Sequence, residues 1–163
     1  MQRKWTIRTA TNTDCAAVAK VHVDSWRTTY RGIVPDHFLD GMSYTTSEAR
    51  WKKRFERSST KYAMFVAEDE SGKIIGFADG GPERSGDPQY DGELYAIYLL
   101  QDYQRQGVGR ELLVRVAQHL ARGGFRAMLV RVLAENPFRR FYESMGGTPV
   151  REQEIEIGGK RLK

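Results

Sequence analysis

The segment 93–133 restricts the possible folds more than any other part of the chain. Residues 93–100, E-L-Y-A-I-Y-L-L, are nearly continuously apolar, as expected of a central strand covered on both faces. They run through Gln101, Asp102 and Tyr103 into the loop Q-R-Q-G-V-G, 104–109, and from there directly into a helix. Its apolar residues Leu112, Leu113, Val116, Ala117 and Leu120 recur at helical spacing. Gly123 and Gly124 stop that helix, and 127–133 reads as a second strand. Strand, crossover helix and parallel strand form one unit of the α/β type, which closes right-handed.

A strand that feeds a helix through closely spaced glycines is a general device for gripping phosphate. The first N–H groups of the helix have no partner within it, and the helix dipole adds partial positive charge at the same end. Gly107 and Gly109 let the backbone approach an anion, and Arg105 and Arg110 supply charge, so the expected ligand is a diphosphate or a similar group. Two other glycine loops are excluded by spacing. A mononucleotide P-loop needs Gly-Lys-Ser/Thr, whereas Arg110 and Glu111 follow Gly109. The dinucleotide fingerprint needs a third glycine where Leu112 stands, and it belongs near the start of a βαβ unit rather than past mid-chain.

Upstream, Ile7 and Arg8 end a short strand, and Asn12 or Thr13 caps a helix carrying Val18, Val21, Trp26 and Tyr30. Pro35 opens a short helix through Phe38 and Leu39, and residues 43–46 cap another that carries Trp51 and Phe55. Residues 62–68 and 74–78 form a hairpin about the turn 69–73, and a polar loop is expected at 80–91. Downstream, Asn136 and Pro137 start a last helix through Phe141, Tyr142 and Met145, which Gly146 ends. The tail alternates through Ile155 and Ile157 before a Gly158-Gly159 turn. With 163 residues and neither repeat nor linker, a single domain over 1–163 is expected.

Together these pieces resemble the GNAT superfamily of N-acetyltransferases. The resemblance rests on the helical first third, the hairpin, the strand E-L-Y-A-I-Y-L-L, the loop Q-R-Q-G-V-G and the later N-P-F-R-R-F-Y-E-S-M-G. It implies an α/β (α+β mixed) fold: a mostly antiparallel twisted sheet of six to seven strands with a parallel pair at the cofactor site, flanked by about four helices. It also implies acetyl-coenzyme A as cosubstrate. The pantetheine arm would pair with the backbone of Ile97, Tyr98 and Leu99, and the pyrophosphate would lie on the amides of Gln104, Arg105, Gln106, Gly107, Val108 and Gly109, with Arg110 beside them. The Leu99 N–H would meet the acetyl carbonyl. Glu93 matches a carboxylate that deprotonates the amine through water, the alternative being a strand-end cap or a pair with a nearby arginine. Tyr142 matches a tyrosine that donates to the coenzyme sulfur, the alternative being a core tyrosine. Asn136 matches an asparagine on the pantetheine or phosphate arm and would also serve as a helix cap. Two departures from the family pattern are the Asn136–Tyr142 interval, six residues rather than seven, and Gly147 where an aromatic often stands.

The chain stops at Lys163, so the seventh strand is expected to be short or missing, and a second copy of the chain is expected to cover the edge it leaves. The resemblance implies that the acceptor is a primary amine of a small molecule or peptide. Trp26 and Tyr30 either line its cleft or belong to the core. A non-catalytic acyl-coenzyme A sensing module is the alternative to the enzyme, and it would keep the loop while losing Glu93 and Tyr142.

The net charge of +5 favours an anionic ligand, but no basic run with interleaved aromatics points to nucleic acid, and Lys52, Lys53 and Arg54 read as a solvated helix face. No apolar stretch is long enough for a membrane span, and no apolar region follows Arg3 and Lys4 as in a secretory signal. Cys15 cannot form an internal disulfide and reads as a small buried hydrophobe, so a cytoplasmic location is expected. His22, His37 and His119 form no spaced cluster, and no metal is expected.

Overall fold

A computed structural model describes residues 4–163, so Arg3 lies outside the described residues. The strands are β1 Trp5–Thr9, β2 Ala63–Asp69, β3 Ile74–Pro82, β4 Gly92–Leu99, β5 Met128–Val130, β6 Ile155–Ile157 and β7 Lys160–Leu162. The helices are α1 Cys15–Thr29, α2 Asp36–Gly41, α3 Tyr44–Arg57, α4 Val108–Arg122 and α5 Arg139–Ser144. Strands β1 to β5 form one sheet in chain order, antiparallel throughout except for the parallel pair β4–β5. This is the expected mixed fold with its parallel pair. The last two strands form a separate antiparallel hairpin rather than extending the sheet.

Alternation along β2 and β3, reset by a bulge at Ile75, sends apolar side chains to both faces of the sheet. Met64, Val66 and Phe77 pack against α1 and α3 with Val18, Val21 and Trp51. Phe65, Ala67, Ile75 and Ala78 pack on the other side against Leu112, Leu113, Val116 and Leu120 of α4. Cys15 is fully buried in the first of these layers, as a small hydrophobe would be. A short 3-10 turn, Asn12–Asp14, precedes α1; Thr11 caps that turn, with the Asp14 carboxylate accepting from its backbone N–H at 2.7 Å, and Asp14 rather than Asn12 or Thr13 stands at the N-cap of α1. Ser43 caps α3 by accepting from the Thr46 N–H.

Three expectations are corrected. The middle strand is β3, buried along almost its whole length, while β4 lies one place from the edge and is only half-buried beyond Leu94. Gly80, Gly81 and Pro82 continue β3 instead of opening a loop. A Cβ on Gly80 would stand 2.6 Å from the Val116 side chain and 2.7 Å from the Glu93 carbonyl, so the glycine lets strand and helix close up. The strand expected over 127–133 has only three residues, because pairing with β4 ends at Leu94↔Val130. The register of β3 on β4 passes from Asp79↔Ala96 to Gly80↔Leu94, leaving Tyr95 as a bulge.

The β6–β7 hairpin turns at Gly158 and Gly159, both with positive φ, and its Leu162 is buried with Tyr30, Val34 and Leu39. The Ala134 N–H donates to the Lys163 carbonyl at 2.7 Å, tying the hairpin to the segment after β5.

Candidate active site

The loop between β4 and α4 is held by its own side chains. Gln104 Nε2 donates to the Leu99 carbonyl at 3.1 Å, Gln106 Nε2 to the Asp102 carbonyl at 3.0 Å, and the Tyr103 hydroxyl to the Asp69 carboxylate at 2.9 Å. Arg105 and Gly107 take left-handed backbone conformations, with φ of 60° and 90°. Among the described residues Arg105 is the one non-glycine residue to do so. The Gln104 N–H is spent on the Gln101 carbonyl, so of the amides expected to meet an anion it is unavailable. Helical pairing begins with the Glu111 N–H on the Gly107 carbonyl, which leaves the amides of Val108, Gly109 and Arg110 without an intrahelical acceptor. Arg105 and Arg110 are exposed here, and no carboxylate among the described residues pairs with either. The arrangement suits an anion of more than one charge.

Beside this loop the sheet opens. Beyond Leu94, β4 runs on to Leu99 with no strand on its β5 side. The Leu100 N–H donates to the Ile75 carbonyl, and the register pairs Tyr98 with Phe77, so strand alternation turns the Ile97 and Leu99 backbone groups toward the open side. Tyr98 is turned the other way, into the β3 ladder. Of the three residues expected to pair with a bound arm, its backbone is therefore not free to do so. Its ring instead lies on the α1 face, 5.5 Å from His22 and 5.8 Å from Phe77.

Helix α5 brings the second set of expected residues to the same place. Asn136 caps the segment before α5 by accepting from the Phe138 N–H at 2.8 Å, and its Nδ2 donates to the Tyr30 hydroxyl at 3.0 Å. Phe141 packs toward the loop, within 3.7 Å of where a Gly109 Cβ would be, and meets Tyr142 edge-on at 5.3 Å. Burial raises the pKa of the Tyr142 phenol, and the neighbouring Tyr30 raises it further. Tyr98 is pushed up by burial and by Tyr30 in the same way. Tyr30, Tyr98 and Tyr142 thus form one group of protonated phenols at the opening. Trp26, half-buried, lies tilted at 57° to Tyr30 with ring centroids 4.6 Å apart and borders Phe38 and Tyr98. Tyr30 belongs to the buried cluster with Val34, Leu39 and Leu162, and Trp26 packs against that cluster, half-buried.

Glu93 meets the alternative weighed from sequence rather than the role of base. It is 1% exposed. Arg84 donates to it from its backbone N–H, Nε and Nη2, and Arg131 donates from Nη1 at 2.6 Å. Burial raises its pKa, but the two guanidiniums outweigh burial and hold it below the usual glutamate range. Four donors fill the lone pairs of both oxygens, so none is left to activate a water. Of the two alternatives left open for Glu93, the geometry favours the pair with nearby arginines.

Sequence reading missed Arg84, Arg131 and Asp79. Asp79 is fully buried on β3, accepts from Arg54 at 2.7 Å and Tyr62 at 3.0 Å, and its pKa is raised by burial. An aspartate inside an apolar strand was the signal. Arg54 accordingly leaves the solvated face assigned to it and covers Trp51, 4.6 Å from the ring. No group of three or more potential metal ligands occurs among the described residues.

The profile of the Acetyltransferase (GNAT) family matches residues 19–147. An uncharacterised N-acetyltransferase of Bacillus subtilis, YuaI, is 48% identical over 97% of this chain and 88% of its own length. The L-methionine sulfoximine/L-methionine sulfone acetyltransferase of Salmonella typhimurium is 31% identical over 95% of this chain and 86% of its own. Among solved structures, YncA from Salmonella typhimurium, a putative acetyltransferase with its cofactor acetyl-CoA, superposes with a TM-score of 0.73 at 25% identity. The superposition covers 98% of this chain and 90% of that one.

Proposed function

Because the chain belongs to the acetyltransferase (GNAT) family, we propose that its site transfers the acetyl group of acetyl-coenzyme A directly to a primary amine in a ternary complex. The enzyme is an acetyl-coenzyme A-dependent acyltransferase, and the amine belongs to a small molecule or peptide. Amino-acid-like acceptors are supported by the name of the Salmonella relative.

The observation that carries this reading is the adjacency of two vacant backbone surfaces. The first-turn amides of α4 suit the pyrophosphate, with Arg105, Gln106 and Gly107 before them and Arg110 beside them. The unpaired edge of β4 suits the pantetheine, whose amide groups need strand-like partners. The Leu99 N–H faces the acyl group from that edge, with the Ile97 N–H two residues deeper on the same side. A backbone donor so placed stabilises the negative charge that develops on the acetyl oxygen as the amine attacks.

The amine nitrogen forms the new bond to carbon, the carbon–sulfur bond breaks, and the electron pair leaves with sulfur. The Tyr142 hydroxyl, kept protonated by burial, gives its proton to the departing thiolate, while the acylated nitrogen sheds its extra proton to solvent, from which the phenolate is reprotonated. Asn136 holds the Tyr30 hydroxyl beside it. With the lone pairs of Glu93 occupied, the amine enters as its free base, having lost its proton to solvent, and Glu93 fixes Arg84 and Arg131. A second copy of the chain covers the sheet edge left by the short seventh strand, and the enzyme works in the cytoplasm. Sedimentation at micromolar concentration is expected to give a dimer, and a monomer would remove that element.

Release of free thiol from acetyl-coenzyme A across an amine panel tests the function. Amine-dependent release is expected, and binding of the coenzyme without release for any amine would reduce the site to a sensor.

A further inference from the structure

The face of the sheet that carries α3 holds a cleft of about 440 Å³ whose lining includes five cations, Arg50, Lys53, Arg54, Arg57 and Arg84, and no carboxylate. Four of them stand at i, i+3, i+4 and i+7 on α3, and so on one side of the helix. Two of the five are engaged from beneath: Arg54 by buried Asp79 and Arg84 by buried Glu93. Arg50, Lys53 and Arg57 are exposed and have no ion-pair partner among the described residues. Three charges are thus left unneutralised around one concavity.

Helix electrostatics accounts for part of this grouping only. The C-terminal end of a helix attracts cations, which explains Arg54 and Arg57 in the last turn of α3. Arg50 and Lys53 precede that turn, and Arg84 arrives from the segment after β3, where Glu93 and the face of the Tyr95 ring, 4.1 Å away, hold its guanidinium in the same lining. Like charges at i, i+4 repel one another, and a bound anion relieves the repulsion. A second observation concerns Asp79, which is wholly buried. One of its oxygens accepts from Arg54 and Tyr62, both of which line the cleft, and the other has no hydrogen-bond partner. An acceptor buried without a donor is costly, and a water or a ligand hydroxyl completes such a site.

The cleft is separate from the place of acetyl transfer. Tyr95, in its lining, is four residues from Leu99, about 13 Å along an extended strand, and the rings of Trp51, Phe77 and Tyr98 pack between the cleft and the opening of the sheet.

We propose that this cleft is a second anion site, distinct from the coenzyme site, that takes a phosphate dianion, either free or as the phosphate group of a small monoester. A lone carboxylate would offset one of the three open charges, whereas a phosphate dianion offsets two and presents several oxygens to the guanidiniums. The Ser59 hydroxyl, in the same lining, accepts from the Lys61 N–H and keeps its own proton to donate. Arg84 covers the Tyr95 ring, so the lining offers charge rather than a bare stacking face, which favours a compact phosphate over a nucleotide. The volume is that of a small-ligand site, which favours a small anion over an acidic protein surface. This site lies beyond the transferase reading and does not depend on it.

Thermal unfolding of the protein saturated with coenzyme A, at constant ionic strength, tests the proposal, with inorganic phosphate, glycerol 3-phosphate, chloride and hexaglutamate as the added anions. Inorganic phosphate or glycerol 3-phosphate at about 10 mM should raise the Tm by at least about 2 °C over chloride. The double variant Arg50→Gln/Arg57→Gln should lose that rise, and its phosphate affinity in calorimetry should fall at least about tenfold. The double variant Arg105→Gln/Arg110→Gln, altered at the β4–α4 loop, should keep both. A larger rise with glycerol 3-phosphate assigns the cleft to a monoester and a larger rise with phosphate to the free anion, and either supports the proposal. No rise above chloride, a rise kept in the Arg50/Arg57 variant, a rise lost in the Arg105/Arg110 variant, or a larger rise with hexaglutamate than with both phosphates would overturn it. No turnover enters these measurements, so their outcome is independent of whether any amine releases thiol from acetyl-coenzyme A.

Discussion

Glu93 shows how little a residue's place in a motif says about its protonation. It stands where the family resemblance puts a base, yet four donors from Arg84 and Arg131 surround it and keep its pKa below the ordinary range. The expected pH profile follows from this. Log kcat/KM should rise with the titration of the amine itself and show no enzyme base near neutrality, and an inflection near pH 6–7 that vanishes in Glu93→Gln would restore Glu93 as the base. Glu93→Gln should instead cost stability, on the order of 2 kcal/mol, because two guanidiniums lose a charged acceptor; denaturant titration measures it. Tyr142→Phe removes the proposed proton donor from a leaving group that needs it only mildly, since thiols have pKa values near ~8.5. It should lower kcat by about tenfold and leave coenzyme A affinity unchanged in calorimetry.

The two glycines of the β4–α4 loop are needed for different reasons. Gly107 has φ of 90° and open space around it, so Gly107→Ala should lose about 1–2 kcal/mol of stability from conformation alone. Gly109 is helical, and a Cβ there would only touch the Phe141 ring at 3.7 Å. Gly109→Ala should therefore leave Tm unchanged or higher while weakening coenzyme A binding, because the methyl stands where the anion approaches; a parallel fall in Tm and affinity would contradict this. Strand, loop and helix at 93–122 were legible in the sequence because periodicity and glycine placement are local signals. The course of β3 through Gly80–Pro82 was not, since those residues resemble a loop until the close approach of Val116 is known. The pairing of Glu93 with Arg84 and Arg131 spans 9 and 38 residues of sequence and has no local signature. Asn136, Tyr30 and Tyr142 were named separately from sequence, but their meeting at one opening depends on how α1 and α5 pack.

At the scale of the whole molecule, the aromatic layer between α1, α3 and β4 couples stability to pH. His22 lies among Trp26, Trp51 and Tyr98, and burial, aided by Arg50 and Arg54, lowers its pKa to about 4. The unfolded chain takes up this proton near pH 6.5 and the folded chain only near pH 4. Stability is thus unaffected by His22 above pH 6.5 and falls as pH drops from about 6.5 to 4, by up to ~3 kcal/mol. Urea titrations of the parent and a His22→Gln variant should show a smaller acid loss in the variant; equal losses would place His22 in water. The same layer backs Tyr98 at the opening of the sheet, so the fold's interior and its proposed chemistry share one wall. The central claim is that this opening and the α4 N-terminus together form an acetyl-transfer site. Stopped-time thiol release from acetyl-coenzyme A with an amine panel, run beside calorimetric binding of coenzyme A, tests it most directly. Micromolar binding with amine-dependent release, both weakened in a Gly109→Ala variant of unchanged Tm, is the predicted result, and absence of coenzyme A binding by the folded protein would contradict it.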